Sequence, residues 1–160
     1  MGSGKTTAGR PVAEALGRAL VDSDEQVEAR TGRSVREIFE SDGEPAYRIL
    51  EREALQDALA ATEPAVIAAA GGVVLDPANR AALGAAGTVV WLRARPASLA
   101  ERVKGGQDHR PLLADDPLGT LERLDRERRA LYEEVADHVI DVDDLDADAV
   151  AARILELVQP

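Results

Sequence analysis

Apolar and polar positions along the chain fall into blocks that alternate between strand and helix. Residues 5–16 carry a helical pattern that stops at Gly17, and 19–21 form a short apolar run ending in Asp22. Residues 25–31 and 34–40 read as two short helices separated by Gly32. Ser34 suits the N-cap of the second, and Glu37, three residues on, completes a capping box. A long helix is predicted over about 45–61, with Pro45 tolerated in its first turn. Then come a strand at 65–69, a Gly71-Gly72 turn and a short helix from about Pro77. A strand at 88–92, a helix at 96–104 and the polar stretch QDHRPLLADDP follow. The pattern closes with a helix at 118–136, a strand at 139–142 and a helix at 146–158. The strands are continuous apolar runs, as expected of a parallel sheet buried on both faces by helices. Pro11 removes a backbone bond inside the first helix, and a kink is expected there.

Composition adds limits. The 160 residues fit one domain, and with 2% aromatic residues its core must be aliphatic. No apolar run approaches the roughly 20 residues that span a bilayer, and no leader pattern is visible. The chain has no cysteine, so it has no disulfide framework and no thiolate metal site. A cytoplasmic, monomeric protein is the expectation. The net charge of −11 argues against a nucleic-acid partner. Anionic substrates would then need a few basic residues focused in one cleft.

Candidate chemistry begins at MGSGKTT. Gly4-Lys5-Thr6 reads as the end of a phosphate-binding loop, G-x-x-x-x-G-K-[ST]. In such a loop, backbone N–H groups at Gly2, Ser3, Gly4 and the helix start at Thr7 would cradle the phosphates of ATP. Lys5 would reach the β- and γ-phosphates, and the Thr6 hydroxyl would ligate Mg²⁺. The loop's first glycine and the strand that should precede it are not in the sequence. Val21-Asp22-Ser23-Asp24 reads either as acidic chemistry at a strand end or as a plain helix cap. His109 and His138 have no partner at ligand spacing, and Trp91 reads as core.

Over essentially all of its length the chain resembles the shikimate kinase family of small P-loop kinases. The motifs that carry the resemblance are GSGKTT at 2–7, VDSD at 21–24, GEPAYR at 43–48 followed by Glu51, AGGVV at 70–74, RPLL at 110–113 and RRALY at 128–132. The resemblance implies one α/β/α domain over 1–160, of the nucleoside-monophosphate-kinase-like fold. Its parallel sheet would have five strands, the first of them missing here. Substrate-binding helices are implied at about 25–61 and a lid at about 105–117. It also implies that Met1 is an internal residue and that the polypeptide begins upstream. A chain without its central strand is expected to fold poorly and turn over slowly.

The implied activity is ATP-dependent phosphorylation of the 3-hydroxyl of shikimate. By the same resemblance Asp22 joins Thr6 in holding Mg²⁺, and Asp24 orients the attacking hydroxyl. Arg48 and Arg128 bind the substrate carboxylate, with Glu51 orienting Arg48. Gly71 and Gly72 let backbone N–H groups approach a substrate hydroxyl, and Arg110 in the lid meets the transferring phosphoryl group. Two family features differ: Ala70 stands where the first of three glycines is usual, and Ala130 where a proline is. The adenine contact is open, since Val103-Lys104 replaces the usual Arg-Thr. A gluconate-like substrate and a non-catalytic binder are the competing readings.

Overall fold

The structure, a computed structural model, describes residues 2–104 and 116–158. The elements run α1 (Lys5–Leu16), β1 (Ala19–Asp22), α2 (Ser23–Thr31), α3 (Val35–Ala60), β2 (Ala65–Ala68), a 3₁₀ turn (Val73–Leu75) and α4 (Pro77–Ala86). β3 (Val90–Arg93), α5 (Pro96–Lys104), α6 (Pro117–Val135), β4 (His138–Asp141) and α7 (Ala147–Val158) complete it. Every strand and helix predicted from the pattern is present.

Local chemistry sets the boundaries. Gly17 ends α1 in the left-handed conformation at φ 61°, and the Ser34–Glu37 capping box starts α3. The two helices expected over 34–61 merge into α3 across Gly43, whose φ of 82° and ψ of 171° are non-helical. α1 runs as one helix through Pro11, the position at which the sequence predicts a kink. Asp116 caps α6, whose first residue is Pro117. The lid expectation otherwise falls on residues outside those described, Arg110 and His109 among them. Among the described residues, no helix is long and apolar enough to cross a membrane.

All strand pairing is parallel. β1 pairs with β2, Ala19 opposite Ala65, and β3 pairs with β4, Val90 opposite His138. Side chains alternate between the two faces. Leu20 and Val66 turn toward Gly9 of α1, where a Cβ would stand 3.0 Å from Leu20. Val90, Leu92 and Ile140 pack with Ala8 of α1 and with Val150 and Ile154 of α7. On the opposite face, Ile67 packs with Leu55 of α3, Leu83 of α4 and Leu131 of α6. The result is three layers, with α1 and α7 on one side of the strands and α3, α4 and α6 on the other.

The strands form two separate two-stranded sheets, β1–β2 and β3–β4. Between β2 and β3 lies a cavity of about 650 Å³ lined by Val12, Val66, Ala68, Val90, Leu92 and Leu83. It reaches Ser3, Lys5, Gly71 and Arg128.

Candidate active site

Gly2 and Gly4 both sit at positive φ, 72° and 81°, and aim the chain into α1. Ala8 N–H donates to Gly4 C=O, so the earlier N–H groups of α1 have no intrahelical acceptor. Gly4 provides no side-chain cap, and the first turn holds no acidic residue. An uncapped helix start with Lys5, Thr6 and Thr7 in its first turn suits a phosphate.

At the end of β1, Asp22 serves two neighbours. Its Oδ1 accepts from Asp24 N–H at 2.9 Å and caps α2, while its Oδ2 accepts from the Thr6 hydroxyl. Helix cap and acidic chemistry, alternatives in the sequence, are thus compatible in one side chain. Hard oxygen donors side by side are what Mg²⁺ prefers, so Thr6 and Asp22 fit that ion. Ser23, buried beside them, accepts from Ala70 N–H at 2.9 Å and ties this strand end to the glycine turn.

Asp24 meets α3 through Tyr47, whose hydroxyl donates to Asp24 Oδ1. The next residue, Arg48, is held by two acids. Glu44 Oε1 accepts from Nε at 3.2 Å and Nη2 at 2.7 Å, and both Glu51 oxygens accept from Nη1, at 2.8 and 2.9 Å. Glu51 is 2% exposed, and burial pushes its pKa up against the pull of Arg48. Burial also works against the Arg48 charge, but Glu51 and Glu44 outweigh it and leave its pKa raised. The Glu44 side chain is 44% exposed, so solvent can stabilise it if an incoming carboxylate takes its place on Arg48.

Gly71 and Gly72 form the opposite wall. A Cβ on Gly72 would overlap the Arg48 guanidinium, and one on Gly71 would stand 2.9 Å from the Tyr132 hydroxyl. A side chain at either position would displace Arg48 or Tyr132 from where it stands, a reason the sequence did not offer. Tyr132 donates to Gly71 C=O at 2.7 Å and stacks on Trp91, ring centres 5.3 Å apart. Burial raises its pKa, opposed by Arg128.

Arg128, on α6, is 7% exposed, and its buried Nε has no hydrogen-bond partner among the described residues. Its Nη1 would lie 3.8 Å from a Gly71 Cβ. A buried guanidinium with a spare donor calls for an anion. The predicted residues other than Arg110 therefore gather at one end of the strands. Sequence reasoning did not single out Ser23, Glu44, Tyr47 or Tyr132, although all four lie inside the quoted motifs. Glu44 was the most accessible of these, standing one helical turn before Arg48.

A Gly-Ser-Gly turn leading into an uncapped helix that opens with Lys-Thr, on a parallel α/β/α fold, defines a P-loop phosphotransferase. The family model for shikimate kinase matches residues 1–159. A shikimate kinase of Symbiobacterium thermophilum is 46% identical, the match covering 99% of this chain and 92% of the relative. One of Halorhodospira halophila is 44% identical, covering 99% and 89%. Among solved structures, shikimate kinase from Acinetobacter baumannii in complex with shikimate superposes with a TM-score of 0.92 at 35% identity, covering 99% of this chain and 88% of that one. The Aquifex aeolicus enzyme gives 0.82 at 33%, covering 98% and 90%. The chain belongs to the shikimate kinase family.

Proposed function

We propose that this chain transfers the γ-phosphoryl group of ATP to the 3-hydroxyl of shikimate. The observation that carries the reading is the convergence of Asp24, Arg48, Arg128 and the Gly71-Gly72 turn beside the uncapped start of α1. The class of reaction asks for positioning and charge compensation more than covalent chemistry, and these residues divide that work. Lys5 and the N–H groups of α1 hold the phosphates. Thr6 and Asp22 would hold Mg²⁺, which when bound offsets negative charge on the phosphates. Arg48 and Arg128 grip the carboxylate, and Asp24 orients the hydroxyl and accepts its proton. Arg110, from the family's lid, meets the charge that builds up on the phosphoryl group.

A supply of ATP and the lack of cysteine support the cytoplasm. A coupled assay with ATP, Mg²⁺ and a panel of hydroxy acids tests the reading. Formation of shikimate 3-phosphate with shikimate preferred is expected. A preference for gluconate, or tight binding of ATP and shikimate without product, would overturn it.

A further inference from the structure

We propose that Tyr47 is a positioning residue for Asp24, its hydroxyl holding one carboxylate oxygen so that the other is presented to the substrate's alcohol. The inference rests on the shikimate reading and adds to it a residue from outside the acid and arginine set.

Three observations meet at this side chain. First, its hydroxyl donates to Asp24 Oδ1, joining α3 to the first turn of α2 across 23 residues of sequence. The terminal torsion of an aspartate is broad and roughly two-fold. A fixed donor on one oxygen selects one orientation, and Oδ2 is then the oxygen turned to a ligand. Second, the ring cannot drift. Tyr47 is 4% exposed and packs in a cluster with Val27, Ile38 and Ala54. The ring of Phe39 lies against it, centres 4.7 Å apart. Third, the residue beside it is Arg48, whose guanidinium carbon lies 5.5 Å from the Tyr47 ring centre. One turn of α3 thus sets both the group for the substrate's carboxylate and, through Tyr47, the group for its hydroxyl. A rigid substrate with an acid at one end and the reacting alcohol at the other needs that separation fixed. Errors of about 1 Å in such placement cost on the order of a hundredfold in rate.

Burial, followed by the charges of Asp24 and Glu51, pushes the Tyr47 pKa well above its ordinary value. The hydroxyl therefore keeps its proton, and as a neutral phenol it remains a donor to Asp24 at working pH.

Tyr47→Phe removes the hydroxyl and keeps the ring. We expect kcat to fall about tenfold, while the shikimate dissociation constant, by calorimetry, stays within about twofold. In an Asp24→Ala background, adding Tyr47→Phe should change kcat by less than about twofold, since nothing remains to position. A structural defect would behave otherwise, carrying its full loss into that background along with a lower melting temperature, and would overturn the proposal. So would an unchanged kcat in Tyr47→Phe when the parent chain phosphorylates shikimate. A parent chain that makes no shikimate 3-phosphate would overturn both this inference and the activity beneath it.

Discussion

Arg48 carries more of this molecule than a ligand contact. Its guanidinium balances buried Glu51, leans on Tyr47 and abuts the Gly72 backbone. A lysine there would keep the charge and lose the planar fork that pairs with a carboxylate through two parallel bonds. Arg48→Lys is therefore expected to weaken shikimate binding by at least about tenfold, with ATP binding unchanged; equal shikimate affinity by calorimetry would reassign the carboxylate site. Glu51 offers a test of sign. Its folded-state pKa is raised above the ordinary 4.5, first by burial. Between those two values the folded chain binds this proton more readily than the unfolded one, so the Glu51 contribution is full below the window and lost as pH rises through it. The stability of the parent relative to Glu51→Gln should therefore fall as pH climbs from the ordinary carboxylate value. Urea midpoints at a series of pH values measure this; a rising difference would mean that pairing with Arg48 outweighs burial.

At the scale of elements, α3 decides where the site's two ends stand. It begins on a capping box, breaks at Gly43 and resumes with Pro45 in the following turn, so that Glu44, Tyr47, Arg48 and Glu51 share one side of the second segment. The backbone at Gly43, φ 82° and ψ 171°, lies in a region that side-chain-bearing residues hardly enter. Gly43→Ala is expected to cost about 1–3 kcal/mol in urea unfolding and to weaken shikimate binding more than ATP binding, because it re-aims α3 and leaves α1 alone. A neutral substitution would show that the break is incidental. Pro11 makes the contrasting point: α1 runs through it, because the surrounding packing of Ala8, Gly9, Val12 and Ala13 holds the helix despite one missing bond.

For the whole molecule the division of the sheet matters most. Among the described residues β2 and β3 each have one strand partner, and the edges they turn to each other border an apolar cavity of about 650 Å³. Unpaired strand edges and uncovered aliphatic walls both cost stability. The chain enters α1 from Gly2 near the end of this cavity where Ser3 and Lys5 lie. An apolar extended segment of about five residues, joined ahead of Met1 through a short glycine-bearing link, is expected to seat between the half-sheets and pair with both. Melting temperature should then rise by about 5 °C or more, with slowed hydrogen exchange at the amides of β2 and β3. An unchanged melting temperature and unprotected amides would show that the slot is not a strand site.

The apolar pattern, with its turn and cap residues, located every described strand and helix, because short continuous apolar runs and helices with one apolar stripe leave different spacings in the chain. The glycine and Ser34 boundaries were readable for the same local reason: φ and capping depend on residues within a few positions. The motif order also marked Lys5, Thr6, Asp22, Asp24, Arg48 and Arg128. Contacts between residues distant in sequence could not be read in this way. Tyr47 reaching Asp24, Tyr132 holding Gly71, Ser23 joining two strand ends and Arg48 filling the space above Gly72 each depend on where separate elements come to rest. That placement is set by how helices and strands share one core, which no local pattern records. The chain announces which groups are available, and packing determines which of them face one another.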